Sequence, residues 1–202
     1  IKAITKIFNF KGELVILISQ IVTLKGGEKL SKRKGQIVLL EDLIDEVGLD
    51  CARFFYLTKS LDTPMEFDFE LAKEKSQKNP VFYIQYAFAR ICSLQNKLKL
   101  GDDFEVSLRD LRWLSHPKEI TLMKKLLLLP EVIEDCLKDY QIQRIPNYAE
   151  NLASAFHSFY DECRILGEKK EIQKARIALV LATKIVLKKT LDLMGISAPK
   201  KM

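Results

Sequence analysis

The sequence predicts a mostly α-helical protein. Hydrophobic residues make up 48% of its 202 residues and charged residues 30%, with only 8 glycines and 6 prolines, a composition typical of folded and helix-rich chains. From residue 41 onward, apolar residues recur at helical spacing, and capping residues flank these stretches. The length allows one or two domains with their own cores.

The first element differs from the rest. Residues 13–24 are rich in apolar and β-branched side chains and lie between Gly12 and the pair Gly26 and Gly27. This composition favours a buried strand, although periodicity alone also allows a short helix.

A basic, glycine-rich loop follows at residues 25–35, with five cationic side chains among three glycines. Glycine lets a backbone approach a ligand closely, and ammonium groups offset the charge of a polyphosphate. Charge alone is equally compatible with a solvated basic loop.

A helical hairpin is predicted next. Its first helix begins near Glu41 and stops at Gly48, and Asp50 is expected to cap the second helix, which runs through Phe54 to Leu57.

The remaining elements are also predicted to be helices. Asn79 and Pro80 suit the N-cap and first position of a helix that reaches about Leu98. Gly195 ends the last helix, and the tail after it is short enough to pack back on the bundle. The other predicted helices span about 118–129, 131–140, 147–166 and 171–194, with Pro130, Pro146 and Gly167 between them.

Charge and cysteine usage restrict the class of protein. The net charge of +6 and the pI near 9.0 favour an anionic partner. The four scattered cysteines form no CxxC pair, so we expect no metal site, no disulfide framework and a cytoplasmic location. No apolar run reaches the ~18 to 20 residues of a membrane span, and we expect neither a membrane nor a DNA partner. Because Ile1 is not an initiator methionine, we interpret the chain as part of a longer protein.

The basic loop contains a recognisable signature. Residues Lys29-Leu-Ser-Lys-Arg33 resemble the KMSKS motif of class I aminoacyl-tRNA synthetases, with Leu30 in place of Met and Arg33 in place of the final Ser. Two longer strings, residues 22–38 and 42–55, are similar to the arginyl-tRNA synthetase family over their whole length.

This resemblance implies a role for the loop. In that family the loop closes over ATP while arginyl-adenylate forms. By resemblance, Lys32 and then Lys29 contact the ATP phosphates, with Arg33 beside them, and Ser31 belongs to the same catalytic site.

The later helices extend the resemblance. Residues 79–93, 156–166 and 175–202 look like parts of the family's DALR-type anticodon-binding domain. At ~100° per residue, Tyr83, Tyr86 and Arg90 share one side of their helix. The same spacing recurs in His157, Tyr160 and Arg164.

These side chains are candidates for tRNA binding. Aromatic rings beside a guanidinium are suited to unstacked RNA bases, although such rings can also be half-buried at a helix interface. The resemblance further implies that Met202 lies near the anticodon loop, with Lys200 and Lys201 as additional candidates.

The resemblance also specifies the fold. It implies that residues 1–75 are the end of an α/β, Rossmann-like nucleotide-binding catalytic domain, and that residues 76–202 are a helical-bundle anticodon-binding domain. The implied parent is a monomeric arginine–tRNA ligase that uses arginine, arginine tRNA and ATP with Mg²⁺. Neither His116 nor His157 belongs to the HIGH-type motif that activation requires. We therefore expect the chain alone to be inactive, to bind tRNA at most, and not to bind ATP tightly.

Two alternatives remain open at the level of sequence. Another class I synthetase, such as the cysteinyl enzyme, shares the KMSKS motif but lacks the closing string of residues 193–202. A non-enzymatic helical RNA-binding module would use the basic loop only to contact backbone phosphates.

Overall fold

The computed structural model describes residues 2–25, 40–100 and 104–202. These residues are predominantly helical, which confirms the predicted fold class. The helices are α1 (Lys2–Ile7), α2 (Leu40–Val47), α3 (Leu49–Leu57), α4 (Phe69–Lys73), α5 (Pro80–Lys97), α6 (Pro117–Leu127), α7 (Leu129–Asp139), α8 (Arg144–Glu162) and α9 (Lys170–Leu193), with a 3-10 turn at Asp110–Trp113. No helix within these ranges is long and apolar enough to cross a membrane.

The predicted strand at residues 13–24 is largely wrong. Only Val22–Leu24 forms a strand, β1, and it pairs in parallel with β2 (Met65–Phe67). Ile18 is 71% exposed and Ile21 is 68% exposed. A strand is stabilised by hydrogen bonds to a neighbour, and the one neighbour among the described residues is only three residues long.

The hairpin of α2 and α3 is confirmed, but the predicted Asp50 cap is wrong. Gly48 is the N-cap of α3, with φ of 82°, and makes no side-chain cap hydrogen bond. The Asp50 carboxylate instead accepts hydrogen bonds from the Ser197 backbone N–H at 3.1 Å and from Gln85 Nε2 at 2.8 Å. The Asp50 carboxylate, which was predicted to cap its own helix, is therefore hydrogen-bonded to Ser197 near the C-terminus instead.

The start of α5 is as predicted. The Asn79 side chain accepts a hydrogen bond from the Val81 N–H at 3.0 Å, and Pro80 occupies the first turn. The amide of Asn79 also donates to the carbonyls of Ala72 at 3.1 Å and Glu74 at 2.9 Å. One buried side chain thus caps α5 and fixes it to the end of α4.

The boundaries of α8 differ from the prediction at both ends. The helix begins at Arg144, so Pro146 lies within its first turn rather than before it. The first turn tolerates proline because its N–H groups have no intrahelical acceptor. The helix ends at Glu162, and Cys163 has an extended backbone. Residues 163–166 are therefore not helical, contrary to the prediction.

A single hydrophobic core joins the hairpin to the later helices. Phe54 of α3, Ile84 of α5, Phe156 of α8 and Leu187 of α9 are fully buried in it. The tail after Gly195 packs back as expected, since Ile196 is 3% exposed. The predicted domain boundary near residue 75 lies inside this continuous core, and the boundary remains a prediction.

Candidate nucleic-acid interface

The most distinctive surface feature lies between α5 and α8. The two helices run side by side in the same direction: Tyr83 lines a cleft with Asn147 and Ser154, and Arg90 pairs with Asp161 further along. Five side chains at this contact form what we call the ring cluster. They are Tyr83, Tyr86 and Arg90 of α5 and His157 and Tyr160 of α8.

His157 is the centre of the ring cluster. Its imidazole stacks on Tyr86, with ring centroids 5.8 Å apart and an interplanar angle of 24°. The Tyr83 ring lies closer, at 4.6 Å, and is tilted by 47°. His157 itself is only 7% exposed, so it supports the tyrosines from beneath and leaves their half-buried rings at the surface.

Arg90 lies between two tyrosine rings. Its guanidinium carbon is 4.2 Å from the centroid of Tyr160 and 5.6 Å from that of Tyr86. One guanidinium nitrogen contacts His157 Nδ1 at 3.1 Å, and the other donates to Asp161 at 3.0 Å. The guanidinium is fixed in orientation, while 24% of the side chain stays exposed.

The protonation state of His157 follows from its partners. Nε2 lies 3.3 Å from the Tyr83 carbonyl, which can only accept a hydrogen bond, so Nε2 carries the proton. Nδ1 then accepts from Arg90. Burial lowers the pKa of His157, the Tyr83 carbonyl opposes this, and the charge of Arg90 lowers the pKa further. The imidazole is therefore neutral near pH 7.

Four of the six predicted tRNA-binding residues are brought together here, and Arg164 and Met202 are not part of the cluster. Tyr83, Tyr86, Arg90 and Tyr160 share the cluster, but Arg164 donates from Nε to the Leu166 carbonyl at 2.9 Å. The helical spacing that placed Arg164 beside Tyr160 does not apply because α8 ends first.

Two side chains at this surface, His157 and Asp161, were not among the predicted tRNA-binding residues. His157 entered the sequence reasoning only through its spacing, and its central position is decided by packing between α5 and α8. Asp161 was missed, although it follows His157 by four residues and thus shares its side of the helix.

The C-terminal tail contacts α5 at Gln85, the residue before Tyr86. Gln85 donates to the Ser197 carbonyl at 3.0 Å. Further along α5, burial raises the pKa of the Cys92 thiol, while the charges of Lys184 and Lys200 oppose that rise; Lys184 also donates to the Gln95 side chain. Met202 is 51% exposed at the end of the tail.

The residues of the KMSKS-type signature, Lys29, Ser31, Lys32 and Arg33, lie outside the described residues. The segment before them is anchored, because Lys25 forms an ion pair with Asp68 at 2.6 Å and its N–H donates to the Phe67 carbonyl at 3.0 Å. Asp68 also caps α4. The hydrogen bond and charge of Asp68 raise the pKa of Lys25.

The described ranges contain no group of three or more His, Cys, Asp or Glu side chains that could hold a metal ion. The four cysteines are free thiols. The ring cluster itself offers aromatic faces, a cation and hydrogen-bonding groups.

A helical bundle that presents tyrosine rings and a fixed guanidinium at its surface has the features of a domain for single-stranded RNA. The DALR anticodon binding domain matches residues 84–202, more than half of the chain. The chain therefore belongs to the DALR anticodon-binding family, as the resemblance implied.

Curated proteins similar to this chain are arginine–tRNA ligases. The arginine–tRNA ligase of Salinibacter ruber is 46% identical over 190 residues, which are 93% of this chain and 34% of that protein. A ligase of the same name from Dehalococcoides mccartyi strain CBDB1 is 44% identical over 94% of this chain and 34% of its own length. The chain thus spans about a third of the curated relatives it matches.

Solved structures give the same fold. A Campylobacter jejuni crystal structure, assigned as an arginyl-tRNA synthetase, superposes with a TM-score of 0.86 at 34% identity, over 100% of this chain and 44% of that one. The arginyl-tRNA synthetase of Plasmodium falciparum superposes with a TM-score of 0.68 at 25% identity, over 82% of this chain and 29% of that one.

Proposed function

We propose that the chain is the C-terminal part of an arginine–tRNA ligase, and that its ring cluster binds the anticodon loop of arginine tRNA. The observation that carries this proposal is Arg90, held between Tyr86 and Tyr160 at the surface of a DALR-family bundle. A loop of RNA has unstacked bases and a phosphate backbone, and the cluster offers a partner for each.

The roles follow from the geometry. Tyr86 and Tyr160 offer half-buried rings on which bases stack, a contact that contributes ~1 to 3 kcal/mol per base. Arg90 supplies a cation for a phosphate or a base face. Tyr83 extends the stacking surface, and the exposed Arg164 and Met202 are proposed as contacts at its edge.

The proposed activity belongs to the whole ligase. There, Lys29 and Lys32 hold the ATP phosphates with Arg33 and Ser31 beside them, and arginine is activated with ATP and Mg²⁺ before transfer to tRNA. We propose that this ligase works as a cytoplasmic monomer. The chain alone binds tRNA without activating arginine, because a lysine loop without the facing half of its pocket is not preorganised.

Binding to two transcripts tests the proposal. The chain is titrated with an arginine tRNA transcript and with the same transcript carrying a changed anticodon, each at two salt concentrations. Tyr86→Ala and Tyr160→Ala are measured alongside Tyr56→Ala, a control at an exposed tyrosine of α3 outside the ring cluster. We expect each cluster variant to weaken binding about 5- to 150-fold, the equivalent of ~1 to 3 kcal/mol, and the control to leave binding unchanged.

Salt separates the two kinds of contact, because phosphate attraction falls steeply with salt while base reading does not. A preference for the arginine anticodon that disappears in the cluster variants supports the proposal. Equal, salt-sensitive binding of both transcripts, unaffected by either substitution, would reduce the chain to a generic basic RNA-binding module.

A further inference from the structure

A polar cleft continues the ring cluster toward the beginning of α5 and α8. It has a volume of about 470 Å³, within the ~300–1,000 Å³ range of ligand sites. Tyr83 lies on its border with the ring cluster, and Lys78, Asn147, Glu150 and Asn151 line the rest. Because Tyr83 belongs to both, the cleft and the ring cluster form one continuous surface.

Glu150 is the unusual residue of this cleft. Its side chain is half-buried, and burial raises the pKa of its carboxyl group. Within the described residues, no hydrogen bond or ion pair to the carboxylate is found. Its oxygens are not fully buried, so they can accept hydrogen bonds from a ligand in the cleft, and groups whose pKa is shifted by burial in a cleft are candidates for binding.

We propose that this cleft binds a nucleobase with an exocyclic amino group, which donates a hydrogen bond to Glu150 while the base packs against Tyr83. The proposal rests on the proposed function, because it assumes that an RNA loop occupies the neighbouring ring cluster. It adds a position at which the loop's sequence is read, whereas the stacking contacts of Tyr86 and Tyr160 accept any base.

The distances along the helices suit adjacent nucleotides. Glu150 precedes His157 by seven residues in α8, a separation of ~10 Å along the helix axis at 1.5 Å per residue. A strand stacked on Tyr86 therefore needs only a short extension to reach the cleft. Lys78 also lines the cleft; its side chain is 81% exposed and lies 3.8 Å from Glu74, and it adds a cation for a phosphate beside the cleft.

The chemistry of a carboxylate makes the reading selective. An ionised carboxylate only accepts hydrogen bonds. It pairs with the amino group of cytosine, adenine or guanine, and it leaves the O4 carbonyl of uracil opposed to an acceptor. The side-chain amides of Asn147 and Asn151 add less selectivity, since Asn151 already donates to the Asn147 carbonyl at 2.7 Å.

The test uses an arginine tRNA anticodon stem-loop. Each loop nucleotide that bears an exocyclic amino group is replaced, one at a time, by an analogue lacking that group and, separately, by uridine, and affinities are measured for the unmodified chain, Glu150→Met and Glu150→Gln. Glu134→Met is the matched control, because it removes the same charge from an exposed position on α7 that does not line the cleft.

We expect the unmodified chain and Glu134→Met to lose affinity about 5- to 150-fold at one nucleotide. Glu150→Met should bind the stem-loop with the same affinity whether or not that nucleotide carries its amino group. Its affinity should still fall when Tyr86 is also replaced by Ala. Glu150→Gln preserves the side chain's shape and should bind the amino-bearing base and the uracil replacement with similar affinity, because an amide both donates and accepts.

The outcomes separate the two proposals. If the chain discriminates anticodons and both Glu150 variants retain every penalty of the unmodified chain, the cleft proposal is refuted and the anticodon-binding proposal stands. If the unmodified chain shows no preference for the arginine anticodon at all, both fail together.

Discussion

The ion pair of Arg176 and Glu119 fixes α9 to α6, and its removal tests what holds the bundle together. Arg176 Nε lies 2.6 Å from Glu119 Oε1, and the two side chains are 12% and 1% exposed. The other oxygen of Glu119 accepts from the His116 N–H at 2.8 Å. The Arg176 guanidinium also donates to the Arg164 carbonyl, so it connects three segments.

Arg176→Met removes the cation and leaves a buried carboxylate without its counter-charge. Breaking a buried pair in this way costs ~3 to 5 kcal/mol. For a chain of about 200 residues, each kcal/mol lowers Tm by ~2 to 4 °C, so we expect a decrease of about 6 to 20 °C. Adding Glu119→Gln removes the stranded charge and keeps an acceptor for His116, and it should recover part of that loss.

Thermal unfolding gives Tm and urea unfolding gives the free energy of unfolding, both followed by circular dichroism, with the m-value compared between variants. Lys188→Met is the control, because it makes a similar change on the same helix in a pair with Asp192 whose side chains are about half exposed; surface pairs contribute ~0 to 1 kcal/mol. A loss below about 1 kcal/mol in Arg176→Met, equal to the control, would refute the reasoning.

Two further predictions concern the ring cluster and the basic loop. Because the pKa of His157 is lowered by burial and by Arg90, the unfolded chain binds a proton more readily; the free energy of unfolding should therefore fall as pH drops below ~6.5. His157→Gln should flatten that dependence, and an unchanged slope would contradict the assignment. In the whole ligase, Lys32→Ala should slow arginine activation about 10²- to 10³-fold in a pyrophosphate-exchange assay with tRNA affinity intact. Equal rates in Lys32→Ala and the exposed control Lys97→Ala would contradict the proposed phosphate contact.

Sequence by itself determined the elements that depend on local chemistry. Asn79 and Pro80 begin α5 because an amide acceptor and a residue without an N–H satisfy a helix start whatever packs around it. Gly195 ends α9, with φ of 67°, because glycine adopts that backbone without a steric penalty. The i, i+3, i+7 spacing likewise placed Tyr83, Tyr86 and Arg90 on one side of α5.

Only the tertiary structure decided which groups meet across the chain. Asp50 accepts from Ser197, 147 residues away, rather than capping its own helix, and Arg90 contacts His157 across 67 residues. The cleft of Glu150 likewise arises from residues on two helices. Local propensity specifies where a helix begins and ends. The partners of a buried polar group are set by the packing of distant segments, because each donor and acceptor removed from water must find whatever complement the folded chain brings beside it.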